Sequence, residues 1–251
     1  MIFDLKDKVC LVTGGSRGIG LEIARSLLEE DARVIICSRK PEGLEKAKET
    51  LSNHENLMTV SAHIGKPDEV DRLFDTIQKA HGRLDILINN VGMNLITPGI
   101  ADLDPGLWHK IIDTNLSGTF LCARNAALMM RAQGQGKIVS ISSIAGTRAT
   151  PGMGIYGIAK AGIEMMTKVL ASELAMFNIQ VNAVAPAMVR TKFSEPFWSN
   201  EELLAYVTKS IPMGRIAEIE DVVKPVLFLV SQGSSFITGQ TIVVDGGATA
   251  V

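Results

Sequence analysis

Short apolar runs alternate along this chain with longer amphipathic stretches, and this alternation restricts the possible folds more than any other feature. Runs such as VCLVT and ILIN are mostly apolar rather than alternating, so we expect both faces of each strand to be covered. The pattern predicts right-handed crossovers and an α/β fold built on one doubly wound parallel sheet of about seven strands. The predicted strands are Val9–Thr13, Arg33–Cys37, Leu57–Ser61, Ile86–Asn89, Lys137–Ile141, Gln180–Ala183 and Thr241–Val244.

Helical patterns fill most of the intervals between these strands. They cover residues 18–30, 42–52, 67–81, 104–131, 154–177 and 218–231, and Pro67 and Pro105 suit first helical turns. The aromatic and polar segment at 193–213 interrupts the alternation. We therefore expect one domain over residues 1–251, with a substrate lid at about 188–213.

Composition excludes several classes of function. The net charge is −2 with no basic block, so nucleic acid and anionic membranes are not expected partners. The start of the chain is charged throughout, unlike a signal peptide, and no apolar run reaches ~18 residues. The three cysteines lie in apolar runs and no histidine has zinc-type spacing, which favours buried thiols in a cytoplasmic protein and no metal.

A glycine-rich turn follows the first predicted strand and opens the first helix. Its sequence, TGGSRGIG at residues 13–20, allows a sharp turn and close approach of a pyrophosphate to the backbone. The positive end of the helix dipole would stabilise the anion. A plain strand–helix connector is the alternative, but the position in a doubly wound sheet favours nucleotide binding. The candidate contacts are Gly14, Ser16, Arg17, Gly18, Ile19 and Gly20.

The end of the second strand indicates which nicotinamide cofactor binds. A carboxylate at this point accepts hydrogen bonds from a ribose 2′-hydroxyl, whereas basic residues accommodate a 2′-phosphate. This chain has Ser38, Arg39 and Lys40 there, and Arg17 in the glycine loop can reach the same region. Each base could instead be an ordinary solvated surface charge. Three bases together favour NADP(H).

Tyr156 and Lys160 in the stretch YGIAK are four residues apart, which places them on one face of a helix. A free tyrosine titrates near ~10 and is a poor acid–base catalyst at neutral pH. An ammonium about 4 Å away, at an effective dielectric near 20, favours the phenolate by roughly 4 kcal/mol, or about three pKa units. We therefore expect Lys160 to lower the pKa of Tyr156.

These motifs, in this order along essentially the whole chain, resemble the short-chain dehydrogenase/reductase family. The resemblance also includes NNVG at 89–92, the PAMVRT turn at 186–191 and the closing TGQTIVVDGG. It implies a Rossmann-type fold and a catalytic tetrad of Asn115, Ser143, Tyr156 and Lys160. Ser140 and Ser142 are neighbouring alternatives, but the family's serine-to-tyrosine spacing selects Ser143. Tyr156 would be the general acid or base, Ser143 would bind the substrate oxygen, and Asn115 would hold a water linked to Lys160.

The resemblance implies further cofactor contacts. Val91 replaces the usual alanine of the family's NNAG turn, and Ala187 replaces the usual glycine after Pro186. His63 stands where the family commonly has an aspartate that accepts a hydrogen bond from adenine, and it could either accept that bond or point to solvent. Tyr156 and Lys160 are implied as cofactor contacts too. The other implied contacts are His63, Ile64, Asn90, Gly92, Pro186, Val189 and Thr191.

The lid and two long helices give expectations about substrate and assembly. Apolar lid residues suggest a hydrophobic or acyl substrate, although ordinary core packing is the alternative for several of them. Small residues on the helices at 104–131 and 154–177 would allow a four-helix bundle between subunits, and the family implies a homotetramer. The lid and pocket residues are Met93, Asn94, Ile144, Met153, Met188, Phe193, Phe197, Trp198, Leu203, Leu204 and Tyr206. The small residues are Ala123, Ala126, Ala127, Ala171 and Ala175.

The function expected from this reasoning is NADP(H)-dependent interconversion of a ketone and a secondary alcohol, in the manner of a 3-oxoacyl carrier-protein reductase or a related carbonyl reductase. Reduction is the expected direction. An NAD-dependent alcohol dehydrogenase is an alternative on the same fold, as is a dehydratase or epimerase. A catalytically idle NADP-binding sensor or structural subunit is an alternative from another class, and the intact tetrad argues against it.

Overall fold

A computed structural model describes residues 3–250, so Met1, Ile2 and Val251 of the predicted domain lie outside the described residues. Seven parallel strands form one sheet in the order β3-β2-β1-β4-β5-β6-β7, which confirms the predicted α/β fold. The apolar runs form the strands because helices cover both faces of the sheet. The strands are β1 Val9–Thr13, β2 Arg33–Ser38, β3 Leu57–Ser61, β4 Ile86–Asn89, β5 Gly136–Ile141, β6 Ile179–Pro186 and β7 Thr241–Val244.

The strand order reverses direction beside β1. Cys10 of β1 pairs with Val34 of β2 on one side and with Ile86 of β4 on the other. Connections leave β1 and β4 toward opposite edges of the sheet, so a crevice opens at the carboxyl ends of these two strands. Ligands bind at such a crevice in doubly wound sheets.

Nine α-helices flank the sheet in the described part of the chain. Proline occupies the first position of α2, α3 and α4, where its missing N–H costs nothing. The helices are α1 Gly18–Glu29, α2 Pro41–Thr50, α3 Pro67–His81, α4 Pro105–Ile112, α5 Gly118–Gln133, α6 Gly154–Leu174, α7 Glu195–Trp198, α8 Glu201–Lys209 and α9 Ile219–Val230.

Two apolar cores lie on the two faces of the sheet. One packs α1, α2 and α9 against it, and the other packs α3, α5 and α6. The three cysteines are buried free thiols within the strands and α5, and burial raises the pKa of Cys37 to about 12. Within residues 3–250, every helix is too short or too polar to span a bilayer.

The structure differs from the predicted elements at two places. The helix expected over 104–131 is divided into α4 and α5 by a π-helical segment, Asp113–Ser117. Two short helices, α7 and α8, form in the segment that was predicted to be a lid. Pro196 occupies the second position of α7, and the Asn200 side chain caps α8.

The alanines expected to face another subunit are mostly internal. Ala123, Ala126, Ala127 and Ala171 belong to the core between α5, α6 and the sheet, whereas Ala175 is exposed. The alternative considered for them, packing on the chain's own sheet, therefore holds for these four. The outward faces of α5 and α6 carry larger residues instead, namely Phe120, Leu128, Ile158, Met165 and Val169.

Candidate functional site

The glycine loop lies at the crevice between β1 and β4. Gly14 and Gly18 have φ angles of +67° and +57°, a left-handed conformation that side chains strongly disfavour. A Cβ on Gly18 would find a single neighbour within 4 Å in the described chain, the Thr191 Cγ2 at 3.9 Å, so the start of α1 faces open space. The first turn of α1, which includes Ile19 and Gly20, carries no acidic residue among the described residues. Its free N–H groups suit an anion.

Asn90 joins the end of β4 to the glycine loop. Its side-chain nitrogen donates hydrogen bonds to the carbonyl oxygens of Thr13 and Gly14, at 3.1 and 3.2 Å. Its backbone N–H donates to the Thr13 hydroxyl at 3.0 Å. Val91, the residue that departs from the family pattern, contacts the same loop beside Gly14. Asn90 therefore fixes the shape of the loop, and its amide group is occupied by this structural role.

The basic residues predicted to select the cofactor lie in two places: Arg39 and Lys40 directly follow β2, and Arg17 lies in the glycine loop. Arg17, Arg39 and Lys40 are all exposed. Ser16 and Ser38 link the glycine loop to β2 through a hydroxyl–hydroxyl hydrogen bond of 3.1 Å. The crevice thus has a positively charged end with exposed guanidinium groups, which match phosphate oxygens in geometry.

His63 and Ile64 lie after β3, at the far side of the same crevice. The His63 Nδ1 accepts a hydrogen bond from the Gly65 N–H at 3.1 Å, so the ring carries its proton on Nε2. The ring nitrogen that points away from the turn is therefore a donor, unlike the aspartate that the family has here. Ile64 is buried and packs against Gly118 at the start of α5.

The segment after β6 forms the other wall of the crevice. Pro186 ends β6 opposite Val244, and Val189 forms a bridge with Ala217. The Ser194 hydroxyl donates to the Val189 carbonyl oxygen and accepts from the Thr191 N–H at 3.3 Å. Thr191 is thereby held facing Gly18 across the opening. Ser194 was not singled out in the sequence, because a serine in a polar lid carries no distinctive signal.

Ser143 and Tyr156 meet at the carboxyl end of β5. Ser143 begins a short 3-10 turn, Ile144–Gly146, and its hydroxyl accepts from the Ala145 N–H at 3.2 Å. The same hydroxyl acts on the Tyr156 phenol, whose pKa it lowers. Gly157 makes this contact possible, because a Cβ there would lie 2.6 Å from the Ala145 carbonyl oxygen. The YG pair thus lets α6 pack against the serine turn.

Lys160 lies one turn further along α6 and is buried. Its Nζ is 5.5 Å from the centre of the Tyr156 ring and donates to the Ile141 carbonyl oxygen at 2.7 Å. Burial lowers the pKa of Lys160 to about 8, and the carboxylate of Glu164 acts in the opposite direction. A Cβ on Gly92 would lie 3.7 Å from the same Nζ, so the loop after β4 borders the amine.

Asn115 lies in the π-helical segment and is fully buried. Its Oδ1 accepts from the Met93 N–H at 3.0 Å, and its Nδ2 donates to the carbonyl oxygens of Met93 and Ile111. The π-helical turn brings the side chain to the loop after β4, beside Gly92. Asn115 therefore holds the loop that borders Lys160, and its own side chain is fully bonded.

The expected lowering of the pKa of Tyr156 by Lys160 was wrong. Burial of the phenol raises its pKa to about 12, and the group that lowers it is the Ser143 hydroxyl. We expected an adjacent Lys160 ammonium to lower it. The Lys160 amine points at the Ile141 carbonyl and lies more than 5 Å from the ring centre, so desolvation exceeds its influence.

The apolar residues of the segment that was predicted to be a lid fall into two groups. Met188, Trp198 and Leu204 pack with Val207 on a small core of Ile211, Ile216 and Ala248. These residues therefore have an ordinary packing role, which was the alternative to lining a substrate pocket. Phe193, Leu203 and Tyr206 are exposed to 49%, 44% and 78%.

Comparisons with known proteins agree with this geometry. Residues 14–249 match a family model described as enoyl-(acyl carrier protein) reductase. Human dehydrogenase/reductase SDR family member 4 is 37% identical over 244 residues, which cover 97% of this chain and 88% of that protein.

Solved structures give the same result. A short-chain type dehydrogenase/reductase from Mycobacterium ulcerans superposes with a TM-score of 0.95 at 32% identity, covering 98% of this chain and 91% of that one. A gluconate 5-dehydrogenase from Burkholderia cenocepacia, solved with NADP and tartrate, has a TM-score of 0.94 at 30% identity and covers 100% and 98%. Sequence, fold and relatives agree that the chain belongs to the short-chain dehydrogenase/reductase family of oxidoreductases.

Proposed function

We propose that this protein interconverts a ketone and a secondary alcohol by hydride transfer with NADP(H), with Tyr156 as the general acid or base. One observation carries the proposal: Ser143, Tyr156 and the buried Lys160 lie together at the carboxyl edge of the sheet that also holds the glycine loop, with the Lys160 Nζ 5.5 Å from the centre of the Tyr156 ring. Two hydroxyls so placed can converge on one carbonyl oxygen.

The protonated phenol is the form of Tyr156 that carbonyl reduction requires. With a pKa of about 12, Tyr156 is protonated at neutral pH and can donate its proton to a carbonyl oxygen that gains negative charge. Ser143 donates a second hydrogen bond to the same oxygen. Lys160, with a pKa of about 8, is mostly an ammonium at neutral pH and adds positive charge to the site.

The residues along the crevice suit a dinucleotide. Bound NADPH would supply the hydride. The start of α1 at Gly18 would hold the pyrophosphate, and Arg17, Arg39 and Lys40 would bind the 2′-phosphate. The NADP in the gluconate 5-dehydrogenase of similar fold supports this choice over NAD. Thr191, opposite Gly18, would close the crevice over the pyrophosphate.

Exposed apolar residues favour a hydrophobic ketone as substrate. Leu95 and Ile96 follow β4, and Phe193, Leu203 and Tyr206 follow β6, two strands whose carboxyl ends border the site. We propose that the segment at about 188–213 acts as a substrate lid through these exposed residues.

We propose that the active form is a homotetramer, as the family resemblance implies. Phe120 and Leu128 lie eight residues apart on α5, and Met165 and Val169 lie four apart on α6, so each pair shares one helix face. All four are exposed to 46–59%. An unpaired apolar surface of this kind on two adjacent helices suits a second copy of the chain. A cytoplasmic location stays a prediction.

Cofactor titration and turnover test this function together. The purified protein should bind NADPH with a lower Kd than NADH, and absorbance at 340 nm should fall when apolar ketones are added. A lower Kd for NADH would overturn the cofactor assignment and favour an NAD-dependent alcohol dehydrogenase. Tight NADPH binding without turnover across the panel would favour an NADP-binding module instead.

A further inference from the structure

Glu164 and Ser142 form a second polar layer beneath the candidate catalytic residues. The Ser142 hydroxyl lies 2.8 Å from the Glu164 Oε1 and 3.3 Å from the Lys160 carbonyl oxygen, and Ser142 is buried. Ser142 directly precedes Ser143, and Glu164 lies four residues after Lys160 on the same face of α6. One carboxylate therefore connects the serine turn to the helix that carries Tyr156 and Lys160.

Gly146 lets this carboxylate approach. A Cβ on Gly146 would lie 2.8 Å from the Glu164 Oε1 and 3.0 Å from the Ala161 backbone nitrogen. The 3-10 turn that begins at Ser143 thus packs directly on α6, with the carboxylate against it. On its other side, Glu164 borders an open groove of about 820 Å³, which Lys168 also lines.

We propose that Glu164 is a positioning residue for the reaction: through Ser142 its carboxylate fixes the turn that carries Ser143, and from one turn along the same face of α6 its negative charge stabilises the Lys160 ammonium. This inference rests on the proposed function for its catalytic meaning, but the contacts that carry it are independent of any substrate. The four-residue tetrad contains no carboxylate, and within the described residues no carboxylate oxygen lies within 4 Å of the Lys160 Nζ, so the charge of Glu164 acts on the ammonium at longer range.

The groups around Lys160 define what a test must separate. On α6, Tyr156 and Glu164 are the titratable neighbours, and the exposed Lys168 lies beside Glu164 in the groove. The serine turn contributes the hydroxyls of Ser142 and Ser143. The loop after β4 and the π-helical segment contribute Gly92 and the neutral Asn115 amide. Within the described residues, Glu164 is the carboxylate whose charge acts on Lys160.

The decisive experiment titrates Lys160 directly. Protein labelled with ¹³Cε-lysine gives a signal for Lys160 that a Lys160→Met variant assigns. Glu164→Gln keeps an oxygen for Ser142 but removes the charge, so we expect the pKa of Lys160 to fall by about one pH unit. Ser142→Ala keeps the charge and should leave that pKa nearly unchanged. Glu173→Gln, an exposed carboxylate on the same helix, is the matched control.

A kinetic measurement gives the second readout. If protonated Lys160 is the active form, the alkaline limb of the pH profile of kcat/KM should move to lower pH in Glu164→Gln, while Glu164→Asp restores part of the difference. Thermal unfolding of each variant shows whether it remains folded. A pKa of Lys160 that is unchanged in folded Glu164→Gln would overturn the inference, whether or not the enzyme reduces ketones. Failure of turnover with the expected pKa change would overturn the proposed function alone.

Discussion

The two halves of the carboxyl edge of the sheet are built differently. The half formed by β1, β2 and β3 presents exposed charges, with Arg17, Arg39 and Lys40 in solvent around a glycine loop. The half formed by β4, β5 and β6 is buried and interlocked: the Asn115 side chain makes three hydrogen bonds, and the buried Lys160 amine donates to the Ile141 carbonyl oxygen. The first half suits recognition of a charged ligand from solution, whereas the second suits chemistry that needs fixed geometry.

Substitutions in the two halves should therefore have different effects on rate and on cofactor affinity. Exposed cations act in a high dielectric and contribute modestly and independently. Buried hydrogen-bonded groups depend on each other, so removing one disturbs its partners. Variants in the β4–β6 half should therefore change rate strongly, and variants in the β1–β3 half should change cofactor affinity moderately and rate little.

The largest effect is expected for Tyr156→Phe. The variant loses the proton donor but keeps the ring that packs beside Lys160, so kcat should fall about 10³-fold or more while NADPH affinity stays close to that of the wild type. Rapid-mixing absorbance at 340 nm and fluorescence titration measure the two quantities. Substantial residual turnover in this variant would mean that Tyr156 is not the proton donor.

A smaller effect is expected for Ser143→Ala. Loss of its hydrogen bond to the substrate oxygen should lower kcat/KM about 10²-fold. The Ser143 hydroxyl also lowers the pKa of Tyr156, so its removal should raise that pKa further. Alcohol oxidation requires the phenolate, and its rise with pH should therefore move to higher pH in the variant. Ser140→Ala is the control, because Ser140 lies within β5, opposite Asn89 of β4. An equal effect of this variant would contradict the assignment of Ser143.

The smallest effect is expected for Arg39→Gln. Removing one exposed guanidinium should raise the Kd for NADPH about 10-fold and leave the Kd for NADH unchanged, because only NADPH carries the 2′-phosphate. Lys46→Gln, an exposed charge further along α2, controls for net charge. If the Kd values for NADPH and NADH rose equally, Arg39 would not bind the 2′-phosphate.

The sequence predicted the sheet well because its strands are buried on both faces. Four strands have the predicted limits, and β6 extends to Pro186 because the segment after it is held by β7. The break in the long helix at Asn115 was not predicted, since a π-helical turn depends on the loop after β4 that the asparagine side chain binds. Similarly, the alanines of α5 do lie on a helix, but they face the core and not another subunit as expected. Small residues suit both a core and an interface, so their presence does not distinguish the two.

The candidate site shows the same division. Which residues would gather was predictable from spacing and family resemblance, but their protonation was not. The pKa of Tyr156 depends on burial and on where the Lys160 amine points, and neither follows from a four-residue spacing. Glu164 was missed although its position, four residues after Lys160 and eight after Tyr156, placed it on the same helix face.

The origin of the hydrogen atoms in the product tests the central claim most directly. The protein is incubated with a ketone that it reduces and with NADPH deuterated at both C4 positions, in ordinary water, and the alcohol is analysed by mass spectrometry and NMR. The account predicts one deuterium on the carbinol carbon, with the hydroxyl proton supplied through Tyr156 from solvent. An alcohol whose carbinol hydrogen comes from water would contradict hydride transfer and, with it, the function proposed for this site.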